Sequence, residues 1–214
     1  NSEFLRNLGA GDGNADLAVL PKLGELPADR RIFDDYFVVF PGASSPTRRW
    51  PVESFAMVAG QIVDKYDVVP VICGGEVEQE LADRLLCQIG DERGKNYVGK
   101  TSLPELVEII RGARLVVSNE TSAIHIAAAV STPSVCILGG GHYGRFMPYP
   151  EEISGAKPIP VIKKMDCFGC NWQCQFTDDR SRPYPCVEGI SAEHVISAVD
   201  LIMEDIPING AAAS

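Results

Sequence analysis

The sequence has no long hydrophobic run, no signal peptide and a shortage of positive charge. No stretch of about 18 consecutive apolar residues occurs, which is the length that a membrane-spanning helix needs. The first residues, 1–17, lack the succession of basic, apolar and small-residue regions that marks a signal peptide. We therefore expect a cytoplasmic protein.

The balance of charges is acidic, with 29 Asp and Glu residues against 19 Lys and Arg residues and a formal net charge of −10. Nucleic-acid phosphates attract basic protein surfaces and are repelled by acidic ones, so this balance argues against broad nucleic-acid binding. Any phosphate that this protein binds should belong to a small molecule and meet a local group of donors.

The seven cysteines fall into two groups. Cys73, Cys87 and Cys136 lie in apolar segments, where a free cysteine usually acts as a small buried hydrophobic residue. The other four share one segment with little regular pattern, residues 165–188: Cys167, Cys170, Cys174 and Cys186. Four thiolates in a cytoplasmic loop favour a tetrahedral structural metal site, with zinc first and iron second. Reduced free thiols and disulfides are the alternatives.

From about residue 36, short β-branched runs alternate with amphipathic helical stretches. Strands are predicted at YFVVFPG, VVPVICGG, NYVG, RLVVS and SVCILGG, with helices between them and a final helix near 192–205. This alternation predicts an α/β fold, a doubly wound parallel sheet with helices on both faces. Residues 1–30 combine a short helical stretch with Gly, Asp and Pro and are typical of a connector, which leaves 31–214 as the domain.

Two strand-to-helix junctions have the composition of a phosphate site. In PGASSPTRRWP, the small hydroxyl residues Ser44 and Ser45 precede the guanidinium groups of Arg48 and Arg49, which can pair with phosphate oxygens. In SNETSAIH, a helix beginning near Thr121 would offer unpaired backbone N–H groups to a diphosphate. The alternatives are a solvated turn with a surface arginine pair, and a helix that is merely capped by Asn119 and Thr121.

Three further side chains are candidates at these junctions. Glu120 can accept hydrogen bonds from sugar hydroxyls, and His125 lies one helical turn after Thr121 on the same side of the helix. Glu78, which follows a glycine pair, could hold a ribose. His125 could equally be a satisfied core residue, and Glu78 could simply belong to a first helical turn.

The order of these motifs resembles a known family. PGASSPTRRWPVESFAMVA, CGGEVEQELA and GKTSLPELVEIIRGARLVVSNETSAIHIAAAVSTPSVCILGG closely resemble the C-terminal half of family 9 glycosyltransferases, the bacterial heptosyltransferases of lipopolysaccharide assembly. The resemblance covers residues 36–205 and implies one half of a GT-B architecture, in which two Rossmann-like domains face each other across a cleft. The C-terminal domain binds the nucleotide sugar, usually ADP-heptose. Residues 1–30 would then link it to an N-terminal domain that supplies the catalytic base.

The resemblance also implies roles for individual residues. Ser44 and Ser45 would meet the phosphates, and Arg48, together with Arg49, would stabilise the leaving group without a catalytic metal. Glu78 would reach the ribose. Four residues match the Asp-Thr-Gly-x-x-His element of the family, which meets the diphosphate and the sugar: Glu120, Thr121, Ser122 and His125. Three residues would form the wall beside the adenine: Thr101, Ser102 and Leu103.

The sequence departs from the family pattern at three places. Glu120 replaces an aspartate, Ser122 replaces a glycine, and Gly139-Gly140-Gly141 replaces Gly-Pro-Thr. These changes reshape the expected pocket by about a methylene and a hydroxymethyl group, which is enough to change the sugar that fits. Relatives often carry cysteines where this chain has residues 165–188, and the autotransporter-type heptosyltransferases are thought to bind iron there.

The resemblance therefore implies an inverting glycosyltransferase whose isolated donor half is inactive. Its acceptor would be lipid- or glycan-linked and bound through the missing domain, at the cytoplasmic side of the inner membrane, and the protein could form a homo-oligomer. One alternative is a domain that binds a nucleotide sugar without transferring it, which the replacements at Glu120 and Ser122 favour. Another is a different GT-B enzyme, such as a nucleotide-sugar epimerase, which would need more acid and base groups than Glu120 and His125.

Overall fold

The computed structural model describes residues 23–24, 35–153 and 155–205. Most of the predicted connector, residues 1–30, lies outside the described residues, as does the C-terminal part of the predicted domain, 206–214. Within the connector only Leu23 and Gly24 are described, and their carbonyl groups accept hydrogen bonds from the guanidinium group of Arg111 at 3.0 and 2.8 Å.

The core of the protein is one sheet of six strands that are all parallel. The strands are β1 (Tyr36–Phe40), β2 (Val69–Ile72), β3 (Lys95–Asn96), β4 (Val116–Asn119), β5 (Ser134–Ile137) and β6 (Ile159–Val161). Their order across the sheet is β3-β2-β1-β4-β5-β6. The direction of winding therefore reverses between β1 and β4, which is where ligands bind in sheets of this type.

Helices cover both faces of the sheet. They are α1 (Val52–Tyr66), α2 (Gln79–Ile89), α3 (Leu103–Gly112), α4 (Ser122–Ala129), α5 (Pro185–Glu188) and α6 (Ala192–Asp205). No helix in the described ranges is both long enough and apolar enough to cross a membrane. The predicted α/β fold, a doubly wound Rossmann-like sheet, is confirmed.

The side chains of the central strand β1 alternate between two separate cores, one on each face of the sheet. Phe37 and Val39 of β1 pack with Phe55 of α1 on one face of the sheet. Tyr36 and Val38 pack on the other face in the cluster that holds α3 and α4. Because both faces are covered, the central strands are mostly apolar, and the buried polar residues Ser118 and Asn119 stand at the carboxyl end of β4.

Two helices begin at serine residues that cap them. Ser102 caps α3 in a reciprocal pair, in which its hydroxyl accepts from the N–H of Glu105 at 3.5 Å and the Glu105 carboxylate accepts from the N–H of Ser102 at 2.8 Å. The hydroxyl of Ser191 accepts from the N–H of His194 at 3.3 Å, at the start of α6. Local capping residues therefore set these boundaries.

Three sequence-based expectations need correction. Neither β6 nor α5 was predicted, because each is too short to show a periodic pattern. Cys73 and Cys136 are buried as expected, but Cys87 is exposed on α2. Its apolar neighbours Leu85 and Leu86 point to the core, whereas Cys87, the next residue in the chain, lies on the solvent side of the helix.

Candidate functional site

A cavity of about 580 Å³ lies at the carboxyl ends of β1, β2 and β4, at the place where the winding of the sheet reverses. Its lining residues come from three strand-to-helix junctions and from the loop after β5: Phe40, Ala43, Ser44, Arg48, Glu78, Glu120, Thr121, Ser122, His125 and Phe146. Free backbone donors and short loops converge at this edge of a parallel sheet. The position and size of the cavity are those of a small-molecule site.

The structure brings together seven of the predicted donor-binding residues. They share the walls of this cavity: Ser44, Arg48, Glu78, Glu120, Thr121, Ser122 and His125. Three lining residues were not predicted: Phe40, Ala43 and Phe146. Phe146 belongs to the loop after β5, and its apolar side chain gives the sequence no sign of a role in ligand binding.

Arg48 supplies a positive charge to the cavity wall, and its guanidinium group contacts both Ser44 and Glu120. One of its N–H groups donates to the backbone oxygen of Glu120 at 3.1 Å, and another donates to the hydroxyl of Ser44 at 3.4 Å. The carboxylate of Glu120 lies 3.5 Å from the same guanidinium group. The side chain of Arg48 is 23% exposed, so part of it remains open to a ligand.

Glu120 is a buried carboxylate with an unsatisfied oxygen. Its side chain is 5% exposed, and its Oε1 has no hydrogen-bond partner within the described part of the chain. Burial raises the pKa of Glu120, and the nearby charges of Arg48 and His142 oppose this rise in part. A buried acceptor without a partner costs free energy.

The start of α4 lies beside Glu120. Thr121 caps the helix, and its hydroxyl accepts a hydrogen bond from the N–H of Ala123 at 3.3 Å. The helix therefore begins at Ser122, and the N–H of Ala123 already has a partner in the hydroxyl of Thr121. The N–H of Ser122 is at the first position of the helix, where no intrahelical acceptor exists and the positive end of the helix dipole is located.

His125 lines the cavity from the first turn of α4, and its imidazole contacts the side chain of Tyr149. The Nδ1 atom of His125 lies 2.6 Å from the hydroxyl oxygen of Tyr149. Burial lowers the pKa of His125 and raises the pKa of Tyr149, so both groups are uncharged near neutral pH. Sequence reasoning did not find Tyr149, since it lies in an irregular loop far from His125 in the chain.

Glu78 closes the cavity on the β2 side. Its Oε2 accepts a hydrogen bond from the N–H of Gly75 at 2.7 Å. A side chain at Gly42 would overlap with the carboxylate of Glu78, so glycine at position 42 is what lets this carboxylate reach the end of β1. Glu78 is buried, and its location at the cavity wall agrees with a role in ligand binding as well as with helix capping.

Five of the predicted donor-binding residues do not line the cavity: Ser45, Arg49, Thr101, Ser102 and Leu103. The hydroxyl of Ser45 bonds to Thr47 at 2.8 Å, and the Nε of Arg49 donates to the carbonyl oxygen of Ala43 at 3.0 Å. Arg49 faces a neighbouring depression that is lined by Pro46 and Pro183 instead. Ser44 and Arg48 line the cavity, whereas Ser45 and Arg49 do not, because successive residues of the short turn after β1 point in different directions.

The four clustered cysteines are free thiols, so the disulfide alternative is wrong for this structure. Burial raises the pKa of Cys186, while the N–H of Gly140, which donates to its Sγ at 3.4 Å, acts in the opposite direction. Among the described residues, which include all of 165–188, no three His, Cys, Asp or Glu side chains are placed to hold a metal ion. Tetrahedral binding of zinc or iron by these four thiols stays a prediction.

Comparison with known proteins decides the family. The sequence model described as "Glycosyltransferase family 9 (heptosyltransferase)" matches residues 18–169 of the chain. The chain belongs to glycosyltransferase family 9. This result confirms the family that the sequence motifs around Arg48 and Glu120 indicate.

Two curated members of family 9 show how much of a relative the chain spans. It is 32% identical over 104 residues to lipopolysaccharide heptosyltransferase 2 of Escherichia coli (strain K12), which covers 46% of this chain and 29% of the relative. It is 30% identical over 184 residues to lipopolysaccharide heptosyltransferase 3 of the same strain, which covers 81% of this chain and 48% of the relative. The chain thus spans less than half of each relative.

Solved structures confirm the fold. The E. coli ADP-heptose lipopolysaccharide heptosyltransferase II superposes with a TM-score of 0.63 and 18% identity, over 82% of this chain and 48% of that one. The iron-containing dodecameric glycosyltransferase TibC from enterotoxigenic E. coli H10407 superposes with a TM-score of 0.61 and 16% identity, over 84% of this chain and 48% of that one. The described sheet thus has the fold of one half of such enzymes.

Proposed function

We propose that this chain is the donor-binding half of an inverting glycosyltransferase, and that its cavity holds the nucleoside diphosphate part of a sugar donor. One observation carries the proposal: Arg48 and the start of α4 at Ser122 both line the cavity at the switch point of the sheet. Both groups attract negative charge, one as a guanidinium and the other through backbone N–H groups and the helix dipole. The cavity volume of about 580 Å³ suits a ligand of nucleotide-sugar size.

In this proposal the diphosphate lies between Arg48 and the N–H of Ser122, with Ser44 beside it. Glu120 accepts a hydrogen bond from a hydroxyl group of the sugar through its unpartnered Oε1, and His125 presents its imidazole to the same end of the ligand. Glu78 holds the ribose. A carboxylate suits the sugar rather than the phosphates because it attracts hydroxyl donors and repels anions.

We further propose an ADP-sugar as the donor. Two relatives are named as lipopolysaccharide heptosyltransferases, and the solved E. coli heptosyltransferase II is described by its ADP-heptose substrate. Glu120 and Ser122 replace a shorter carboxylate and a glycine at the sugar end of the site. These two side chains therefore decide which sugar fits the site best, and heptose is the first candidate to test.

The chemical step in this proposal is an inverting displacement. An acceptor hydroxyl group, deprotonated by a base in the other half of the enzyme, attacks the anomeric carbon, and the bond to the nucleoside diphosphate breaks. Arg48 and the start of α4 stabilise the negative charge that grows on the leaving group, so this scheme uses no catalytic metal. The 214-residue chain alone is then a binding domain without transferase activity.

The remaining partners are also proposals. The acceptor is lipid- or glycan-linked and reaches the sugar through the other half of the enzyme, at the cytoplasmic face of the inner membrane. A homo-oligomer is proposed because the neighbour TibC, whose fold matches, is described as dodecameric.

The decisive experiment is isothermal titration of the chain with ADP, UDP and GDP. We expect one nucleotide, ADP, to bind saturably, and Arg48→Ala to weaken it about 10- to 100-fold, because a charge-assisted contact to phosphate is lost. Arg49→Ala is the matched control and should stay within about threefold, since Arg49 faces away from the cavity. Equal losses in the two variants, or no binding to a folded sample, would contradict the proposed site.

A further inference from the structure

The Cys-rich loop, residues 165–188, is attached to the edge of the cavity by backbone hydrogen bonds. The N–H of Gly169 donates to the carbonyl oxygen of Gly140, and the N–H of Asn171 donates to that of Gly141, both at 2.8 Å. The N–H of Tyr184 donates to the carbonyl oxygen of Thr47 at 3.0 Å. One loop therefore joins the glycine run after β5 to the turn that carries Arg48.

The glycine run 139–141 is required by the aromatic side chains of this loop. A Cβ atom at Gly139 or Gly141 would overlap with the indole of Trp172, and one at Gly140 would overlap with the ring of Phe168. The indole thus lies directly on the backbone at the end of β5. Asn171 and Trp172 have φ angles of 53° and 63°, a left-handed conformation that non-glycine residues adopt only when surrounding contacts hold them there.

Trp172 places its ring against the cation of the proposed donor site. The guanidinium carbon of Arg48 lies 5.0 Å from the centre of the Trp172 ring, within the range of a cation–π contact. Arg48 is bounded on its other sides by Ser44 and by the backbone oxygen of Glu120. The indole therefore removes a direction in which a long, flexible side chain could otherwise turn.

We propose that Trp172 is a positioning residue, which holds the guanidinium group of Arg48 in the orientation that meets the donor's diphosphate. The idea rests on the proposed donor site, because it assigns Trp172 to the ligand only through Arg48. It gives the Cys-rich loop a role at the cavity that involves no metal ion. It also explains Gly139 and Gly141, since a larger residue at either position would displace the indole.

The first test measures the position of Arg48 without any ligand. In a ¹⁵N–¹H NMR spectrum, the Nε–Hε signal of Arg48 should be displaced by the ring current of Trp172 and should move toward the position of an exposed arginine in Trp172→Leu. Phe176→Leu is the control, because Phe176 lies in the same loop and is 54% exposed. An Arg48 signal that Trp172→Leu leaves in place would overturn the proposal, whether or not the chain binds a nucleotide.

The second test is a double-mutant cycle on ADP affinity. We expect Trp172→Leu to raise the Kd for ADP about 3- to 30-fold and to have no further effect in the Arg48→Ala background. Trp172→Phe, which keeps an aromatic face, should recover most of the affinity. A purely structural role predicts instead the same factor in both backgrounds, and that result would overturn the proposal. If wild type binds ADP and only Arg48→Ala weakens it, the donor site stands and the role of Trp172 fails.

A third measurement avoids substitutions that could prevent folding. The chain has two tryptophans, and the other, Trp50, is buried against Phe55. Uniform replacement of tryptophan by a multiply fluorinated tryptophan removes electron density from the ring face with little change in shape. It should weaken ADP binding by wild type and leave the Kd of Arg48→Ala unchanged. Equal affinity of the labelled and unlabelled wild type would contradict the cation–π contact.

Discussion

The side-chain oxygen of Asn119 accepts a hydrogen bond from the backbone N–H of Trp50 at 3.0 Å. The amide nitrogen of the same side chain donates to the carbonyl oxygens of Pro41 and Gly42, at 2.8 and 3.2 Å. Asn119 is fully buried at the end of β4. One side chain therefore fixes the turn after β1, which carries Arg48, against the strand end that carries Glu120.

We predict that Asn119→Ala lowers the free energy of unfolding by about 2–4 kcal/mol, because it leaves buried backbone groups without partners. Urea denaturation followed by circular dichroism measures this loss. Gln88→Ala, at an exposed position of α2, should change stability by less than about 0.5 kcal/mol. Equal stability of the two variants would mean that water replaces the three hydrogen bonds without cost.

The pH dependence of stability should contain a contribution from Glu120. Burial raises the pKa of this carboxyl group above its ordinary value of 4.5, against the opposing effects of Arg48 and His142. The native state therefore binds more protons than the unfolded state between these two pKa values. The contribution of Glu120 to stability is present below pH 4.5 and is lost as the pH rises through the native pKa.

We predict that Glu120→Gln, which cannot ionise, removes this loss. As the pH rises from 4.5 through the native pKa of Glu120, the stability of the wild type should fall relative to that of Glu120→Gln, as urea denaturation would show. Glu80→Gln, an exposed position on α2, is the control and should follow the wild type across the range. A constant difference between wild type and Glu120→Gln would show that Glu120 does not titrate there.

The contact between His125 and Tyr149 should fix the tautomer of the imidazole. We predict that the hydroxyl group of Tyr149 donates to Nδ1 of His125, which leaves the imidazole proton on Nε2, and that ¹⁵N NMR finds this tautomer at neutral pH. In Tyr149→Phe the Nδ1 atom loses this donor, so the preference for this tautomer should weaken. An unchanged tautomer in Tyr149→Phe would contradict the role of this contact.

Two glycine substitutions should have opposite effects on stability. Gly141→Ala places a Cβ atom against the indole of Trp172, so we expect a loss of about 1–3 kcal/mol. Gly60 lies inside α1 with no atom near its missing side chain, so Gly60→Ala should add about 0.5–1 kcal/mol by favouring the helix. Thermal unfolding of both variants tests the pair, and stabilisation by Gly141→Ala would show that the loop does not lie on this backbone.

The sequence by itself determined the fold class, the family and most of the cavity. Apolar spacing and capping residues such as Ser102 act over a few neighbours, so the helices and the longer strands could be predicted from short segments. The junctions with Arg48 and Glu120 could be predicted as one site because the carboxyl ends of parallel strands meet at one edge of a sheet.

Only the tertiary structure decided the contacts between segments that are distant in the chain. The sequence favours a metal site for the four cysteines, and only the structure shows that their loop lies on the glycine run. The sequence predicts that Arg48 and Arg49 bind the same ligand, but in the structure Arg48 lines the cavity and Arg49 faces a neighbouring depression. The contacts of Trp172 with Arg48, and of Tyr149 with His125, leave no local pattern, because each depends on how two loops pack together rather than on the spacing of residues within one.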